Sequence, residues 1–276
     1  MTDEGGTVGK SAVVTGCGSG IGRSITDRLV AEGWVVVGVE LNEAAAAEVE
    51  RAHGDAVRVV VGDSSRTETL ERAAAAAGDM AVLHGWVNNA GVAIGGNLHD
   101  PVPEDVERVV SVNLMGYFWG SSVAVRAFLE HHVDGSIVNV SSIHGTHAFT
   151  GWAAYDMAKG GVDALTRYTA VEYGAAGIRA NAVAPGAIRT PLCQGVIDAS
   201  PDPGAAERDM ALIQVMRRLG EPREIADVVS FLLSDRSSFL TGQIVAVDGG
   251  ATARCYPYDP ADVVLAVMDS RETGIR

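Results

Sequence analysis

Cysteine is scarce in this 276-residue sequence, long apolar runs are missing, and positive charge is outnumbered. Three cysteines, Cys17, Cys193 and Cys255, lie far apart with no C-x-x-C pair. That excludes a disulfide framework and a thiolate zinc site, and it fits free thiols in a reducing, cytoplasmic compartment. No metal is expected. Lys and Arg total 21 against 35 Asp and Glu, a net charge of −14, which excludes a phosphate-tracking nucleic-acid surface. The most apolar segments, WVVVGVEL and AVRVVVG, are bounded by charge or glycine. They fall well short of the roughly 20 apolar residues that span a bilayer. The opening MTDEGGTVGK has neither the basic region nor the apolar run of a secretory signal. Residues 1–9 are therefore expected to form a flexible lead. No Pro/Ser-rich linker or internal repeat divides the rest, so one domain is the economical count.

Short Val/Ile-rich runs alternate with longer Ala-rich segments whose charges recur at helical spacing. Strands are predicted near 11–15, 34–40, 56–62, 82–88, 135–141, 178–184 and 243–248, with helices near 20–32, 42–53, 66–77, 103–131, 152–175 and 222–234. Strands buried on both faces by crossover helices make a doubly wound parallel seven-stranded sheet of the α/β class. In such a sheet the ligand site lies outside the carboxyl ends of the strands.

The segment SAVVTGCGSGIGRS runs from the first strand through Gly16, Gly18, Ser19, Gly20, Ile21 and Gly22 into a helix. Glycines there let the backbone approach a pyrophosphate, and the helix N-terminus supplies free N–H donors. The second strand ends at Glu40, whose carboxylate suits adenosine ribose hydroxyls and repels a 2′-phosphate. No Arg or Lys stands at 17–21 or directly after Glu40. The expected cofactor is therefore NAD.

The pattern T-G-x-x-x-G-I-G resembles the short-chain dehydrogenase/reductase (SDR) family, and further motifs extend the likeness over roughly residues 8–252. The resemblance implies a single Rossmann-fold domain. It places Asp63 and Ser64 at the adenine, although Asp63 equally suits capping of the following turn. It places Asn89, Ala90 and Gly91, within VNNAG, along the cofactor. In NAVAPGAIRTP it places Pro185, Gly186, Ile188 and Thr190 around the nicotinamide. It implies a catalytic tetrad of Asn113, Ser142, Tyr155 and Lys159. The family's serine precedes its tyrosine by thirteen residues, which selects Ser142 over Ser141, the latter read as structural. Asn113 is implied as a relay near Lys159, with helix bending as the alternative.

Tyr155 and Lys159, four apart, face one side of a helix. A free phenol titrates near pKa ~10, too high for a base at neutral pH. The expectation is that Lys159 and the oxidised nicotinamide ring favour the phenolate, while Lys159 also holds the nicotinamide ribose. His144, His147, Phe149 and Trp152 are candidates for an aromatic substrate pocket. Residues 192–218 read as a substrate lid containing a short helix. Residues 254–276 extend past the family's usual end, with Asp259 and Pro260 starting a short helix. The implied activity is NAD-dependent oxidation of a secondary alcohol, perhaps cyclic. An NAD(P)H-dependent carbonyl or 3-oxoacyl reductase is the enzymatic alternative, and a nucleotide-sensing scaffold the non-enzymatic one. The family's usual contacts through 103–131 and 152–175 imply a homotetramer.

Overall fold

The computed structural model describes residues 9–254. Residues 1–8 of the expected flexible lead, Cys255 and the helix expected after Asp259 lie outside the described residues. Seven parallel strands form one sheet in the order β3-β2-β1-β4-β5-β6-β7. They are β1 (Lys10–Thr15), β2 (Val35–Glu40), β3 (Val57–Val61), β4 (Val82–Asn88), β5 (Ser136–Val140), β6 (Arg179–Pro185) and β7 (Ile244–Val247). Nine α-helices are described: α1 (Gly20–Ala31), α2 (Glu43–His53), α3 (Thr67–Met80), α4 (Pro103–Val110), α5 (Gly116–Glu130), α6 (Ala153–Tyr173), α7 (Pro191–Asp198), α8 (Pro203–Ile213) and α9 (Pro222–Leu233).

The period-two geometry of a strand explains the Val-rich runs. In β1, Ala12 and Val14 join the core under α1 and α9 with Ile25, Leu29, Ile225 and Val229. Val13 points the other way, against Leu70 and Ala73 of α3 and Ala124 and Phe128 of α5. Both faces are dry, so alternation of polar and apolar residues is absent. The strand order reverses on either side of β1, between β2 and β4. The crevice at that switch point opens at the ends of β1, β2 and β4.

Two helical expectations are corrected. The helix predicted over 103–131 is interrupted by a π-helical turn at Ser111–Met115. There the Asn113 side chain bonds both main-chain groups of Val92, accepting from its N–H and donating to its C=O, each at 2.8 Å. The segment 192–218 carries two helices rather than one. Thr190 Oγ1 accepts from Cys193 N ahead of α7, and Asp202 Oδ1 accepts from Ala205 N ahead of α8. Each cap is followed by proline at the first helical position, which the sequence shows at 190–191 and 202–203.

Candidate active site

A cleft of about 530 Å³ runs along the carboxyl ends of the strands, from Glu40 and Asp63 to Ser142, Tyr155 and the α7–α8 segment. Its floor at one end is the turn between β1 and α1. Gly16 adopts φ +68°, and a Cβ on Gly22 would lie 2.0 Å from the Gly16 carbonyl oxygen. Only glycine lets the first turn of α1 sit this close to the strand end. A Cβ on Gly18 would lie 2.6 Å from the Glu40 carboxylate. Gly16, Ser19, Gly20, Ile21 and Gly22 line the cleft, whereas Gly18 contributes its N–H to Glu40 Oε2 at 2.9 Å. The other Glu40 oxygen accepts from Asn42 N at 2.9 Å. Both bonds aim the carboxylate over the glycine turn. Arg23, the nearby cation of α1, is engaged by Asp27 and Glu48.

Asp63 also lines the cleft with Ser64, and it caps the following turn: its Oδ1 accepts from Ser65 N and Ser65 Oγ. Burial raises its pKa, but the Ser65 and Arg108 hydrogen bonds outweigh burial and hold the carboxyl below its ordinary range. Along the wall, Thr15 Oγ1 accepts from Asn89 N and Ala90 N, and Asn89 Nδ2 donates to Thr15 O. Beneath them Asn88 is fully engaged in the core, accepting from Trp86 Nε1 and donating to Asn139 Oδ1 and Ser121 Oγ. Ala90 and Gly91 line the cleft, as do Pro185, Gly186, Ile188 and Thr190 opposite them.

At the far end Ser142, Tyr155 and Lys159 come together. Ser142, two residues past β5, accepts from His144 N at 3.2 Å, and its hydroxyl acts on the Tyr155 phenol to lower its pKa. Lys159 is buried; its Nζ donates to Val140 O at 2.8 Å and to Tyr117 Oη at 3.2 Å, and lies 5.6 Å from the Tyr155 ring centroid. Tyr117, one turn after Asn113, donates a hydrogen bond from its hydroxyl to Val140 O at 2.9 Å. Sequence reasoning missed Tyr117; its only signal is the four-residue offset from Asn113 on one helix face. Ser141 is structural, donating to Asp163 Oδ1 at 2.6 Å.

Asn113 is buried outside the cleft lining, with its amide bonded to both main-chain groups of Val92. Two expectations change here. His147 is exposed and pairs with Thr146 Oγ1 at 3.0 Å, so it leaves the pocket, while His144, Phe149 and Trp152 line it. Lys159 does not by itself acidify Tyr155. Burial pushes the phenol up to about 12, with the Ser142 bond pulling down and Asp156 pushing up. Burial likewise pushes Lys159 down to about 7, against the opposing pull of Asp163. Burial penalises the charged form of each group and is the largest cause of both shifts.

The glycine cradle, the helix N-terminus and the Glu40 carboxylate fit a dinucleotide lying from Glu40 toward Lys159. Among the described residues no helix is long and apolar enough to cross a membrane, and no cluster of three or more His, Cys, Asp or Glu is placed to hold a metal. Cys17 and Cys193 are free thiols.

Residues 16–252 match the family described as enoyl-(acyl carrier protein) reductase. The chain is 38% identical over 251 residues to 3beta-hydroxysteroid dehydrogenase 1 of Eggerthella lenta, covering 88% of this chain and 94% of the relative. It is 42% identical over 250 residues to cis-4-hydroxycyclohexanecarboxylate dehydrogenase of Sinomonas cyclohexanicum, covering 88% and 96%. Its fold superposes with a TM-score of 0.84 on a crystal structure of a variant actinorhodin polyketide ketoreductase with NADPH, at 28% identity over 89% of this chain and 98% of that one. With the glycine turn, the Asn-Asn-Ala-Gly wall and the Ser-Tyr-Lys cluster in place, the chain belongs to the short-chain dehydrogenase/reductase family of nicotinamide-dependent oxidoreductases.

Proposed function

We propose that this protein is an NAD-dependent dehydrogenase that oxidises a secondary, cyclic alcohol to the ketone and runs the reverse reaction. The observation that carries the reading is the convergence of Ser142, Tyr155 and Lys159 at one end of a cleft whose other end holds Glu40. The names of the related dehydrogenases of ring alcohols support the substrate class. Glu40 over the glycine turn supports NAD, because its carboxylate meets ribose hydroxyls favourably and a 2′-phosphate unfavourably.

When bound, the oxidised nicotinamide supplies the hydride acceptor and a positive charge. Ser142 holds the substrate oxygen by hydrogen bonding, and Tyr155 moves the proton: its phenolate takes the alcohol proton in oxidation, and its phenol returns it to the carbonyl oxygen in reduction. Lys159 is fixed by Val140 and Tyr117 beside the phenol, where it would hold the nicotinamide ribose. Asn113 shapes the turn behind Val92, which lines the cleft. The exposed apolar side chains Phe118 and Trp119 on α5 with Met157, Tyr168 and Val171 on α6 support assembly as a homotetramer.

A second reading, a carbonyl or 3-oxoacyl reductase, is favoured by one observation: a phenol held at about 12 is already the acid that ketone reduction needs. Tyr155→Phe tests the site. With cyclic secondary alcohols and NAD, followed by absorbance of the reduced cofactor, kcat should fall by about 10²–10⁴ while cofactor affinity stays within about threefold. Unchanged turnover overturns the assignment of Tyr155, and much tighter binding of NADP than NAD overturns the cofactor choice.

A further inference from the structure

His144 is built into the cleft more firmly than a wall residue requires. It is the middle residue of the 3-10 turn Ile143–Gly145, and the hydroxyl of Ser142, which caps that turn, accepts its backbone N–H. Its ring stacks on Phe149 with centroids 4.1 Å apart and 19° between planes, and meets the Tyr155 ring edge-on at 5.1 Å. Its Nδ1 lies 2.5 Å from Asp156 Oδ1. The other Asp156 oxygen accepts from Phe149 N at 2.9 Å. One carboxylate on α6, the residue after Tyr155, thus fixes both the imidazole and the aromatic ring stacked on it.

An ionised carboxylate only accepts, so the Nδ1 position carries the imidazole proton and Nε2 keeps its lone pair. Among the described residues no side chain or backbone group bonds Nε2, and His144 lines the cleft. Burial lowers its pKa, with Asp156 pulling the other way, which keeps the ring neutral near pH 7.

The surroundings say what this acceptor meets. The substrate end is apolar, lined by Phe149, Trp152, Leu192, Val196, Met210 and Ile213. The two cations in the lining are engaged elsewhere: Lys159 with Val140 and Tyr117, Arg108 with Asp63. Asp156 stands directly behind the imidazole, and the only nearby cation among the described residues, Lys159, is already bonded to Val140 and Tyr117. A carboxylate has no proton to offer Nε2, whereas a hydroxyl has one.

We propose that His144, held by Asp156, is a specificity residue whose Nε2 accepts a hydrogen bond from a second hydroxyl on a neutral alicyclic alcohol, making the preferred substrate a ring diol or polyol rather than a simple alcohol or a hydroxy acid. This rests on the reading of the site as an alcohol dehydrogenase and narrows its substrate.

The test is binding, read by calorimetry on the protein alone and with reduced cofactor present, where alcohol oxidation cannot proceed. The probes are cyclohexanol, the 1,2-, 1,3- and 1,4-cyclohexanediols, and cis-4-hydroxycyclohexanecarboxylate. The best diol should bind about tenfold or more tighter than cyclohexanol and the carboxylate. His144→Phe keeps a flat ring on Phe149 and removes the acceptor, so the diol-to-cyclohexanol ratio should collapse toward one. His144→Gln, which retains an acceptor, should keep part of it. Equal binding of diols and cyclohexanol by the wild type, tightest binding of the carboxylate, or an unchanged ratio in His144→Phe overturns the inference. The two readings fail separately. Turnover without diol preference sinks the subsite alone, and diol-selective binding without any turnover sinks the dehydrogenase reading alone.

Discussion

Lys159 bonds the phenol of Tyr117, with Nζ 3.2 Å from its hydroxyl oxygen, and reaches only the ring region of Tyr155, 5.6 Å from the centroid. The two tyrosines stand on different helices, α5 and α6, and both lie beside one buried ammonium. Val140 O accepts from Lys159 and from Tyr117, so the end of β5 anchors the whole cluster. The lysine's position is therefore set by a carbonyl and a second phenol, and Tyr117 acts as a positioning residue.

Tyr117→Phe should leave the fold intact, since the ring stays buried and Val140 O keeps its bond from Lys159. Two hydrogen bonds are lost, the one from the Lys159 ammonium, worth about 1.5–3 kcal/mol, and the one to Val140 O, worth about 1 kcal/mol. We expect kcat/KM to fall about tenfold or more and the pH profile of kcat/KM to shift, because the ammonium beside Tyr155 loses an acceptor. A purely structural role would lower thermal stability and leave that profile in place.

The buried lysine also sets a pH dependence of stability. Its folded pKa, about 7, lies below the unfolded value of about 10.4. Between those limits the unfolded chain binds more protons, so this group's contribution rises with pH and is lost as pH falls toward 7. Lys159→Met removes that penalty. Its melting temperature should exceed that of the wild type by about 2–4 °C or more at pH 6.5, and the gap should close by about pH 10.5. A gap that does not change with pH would show that the ammonium is not penalised by burial.

What the sequence made legible was local. Val/Ile-rich runs located all seven strands to within a residue, because central strands such as β1 and β5 are dry on both faces, while the edge strands β3 and β7 keep the apolar bias though partly exposed. The glycine turn and the Tyr155–Lys159 offset are contiguous patterns, and each lands in the cleft. What stayed hidden depends on contacts across the fold. Tyr117 joins Lys159 from another helix, Asp156 matters through Phe149 and His144, and the π turn at Asn113 depends on Val92. His147 differs from His144 by three residues, yet the short 3-10 turn sends it to solvent. Burial was also invisible from residue types, and it is the largest cause of the shift of both Tyr155 and Lys159.

Glu40 offers a direct test of cofactor choice. Its oxygens accept from Gly18 N and Asn42 N at 2.9 Å each, so the side chain shapes the turn as well as carrying charge. Glu40→Gln keeps the size and part of the bonding but removes the negative charge. NAD affinity should fall about 10-fold, and the preference for NAD over NADP should shrink by more than that. Dissociation constants for both cofactors, measured by titration, check this; an unaltered ratio would remove Glu40 from the discrimination.

Asp163 is the one described side chain with a buried polar atom left without a hydrogen-bond partner, its Oδ2. Its other oxygen accepts from Ser141, and Arg167 and Lys159 also favour the ionised form, yet burial prevails and the pKa is raised. A raised folded pKa means that the folded chain keeps its proton longer. The stability from this group is fully present below about pH 4 and is lost as pH rises through the folded value. Asp163→Asn keeps an acceptor for Ser141 and replaces a buried charge with a neutral amide, whose unpaired cost is smaller. Thermal unfolding should therefore find the variant as stable as the wild type or less so at pH 4, and more stable by about 2–4 °C at pH 8. The opposite trend, with the variant losing ground as pH rises, would mean that the carboxylate is stabilised in place by the Lys159 ammonium and that the two form a true buried ion pair.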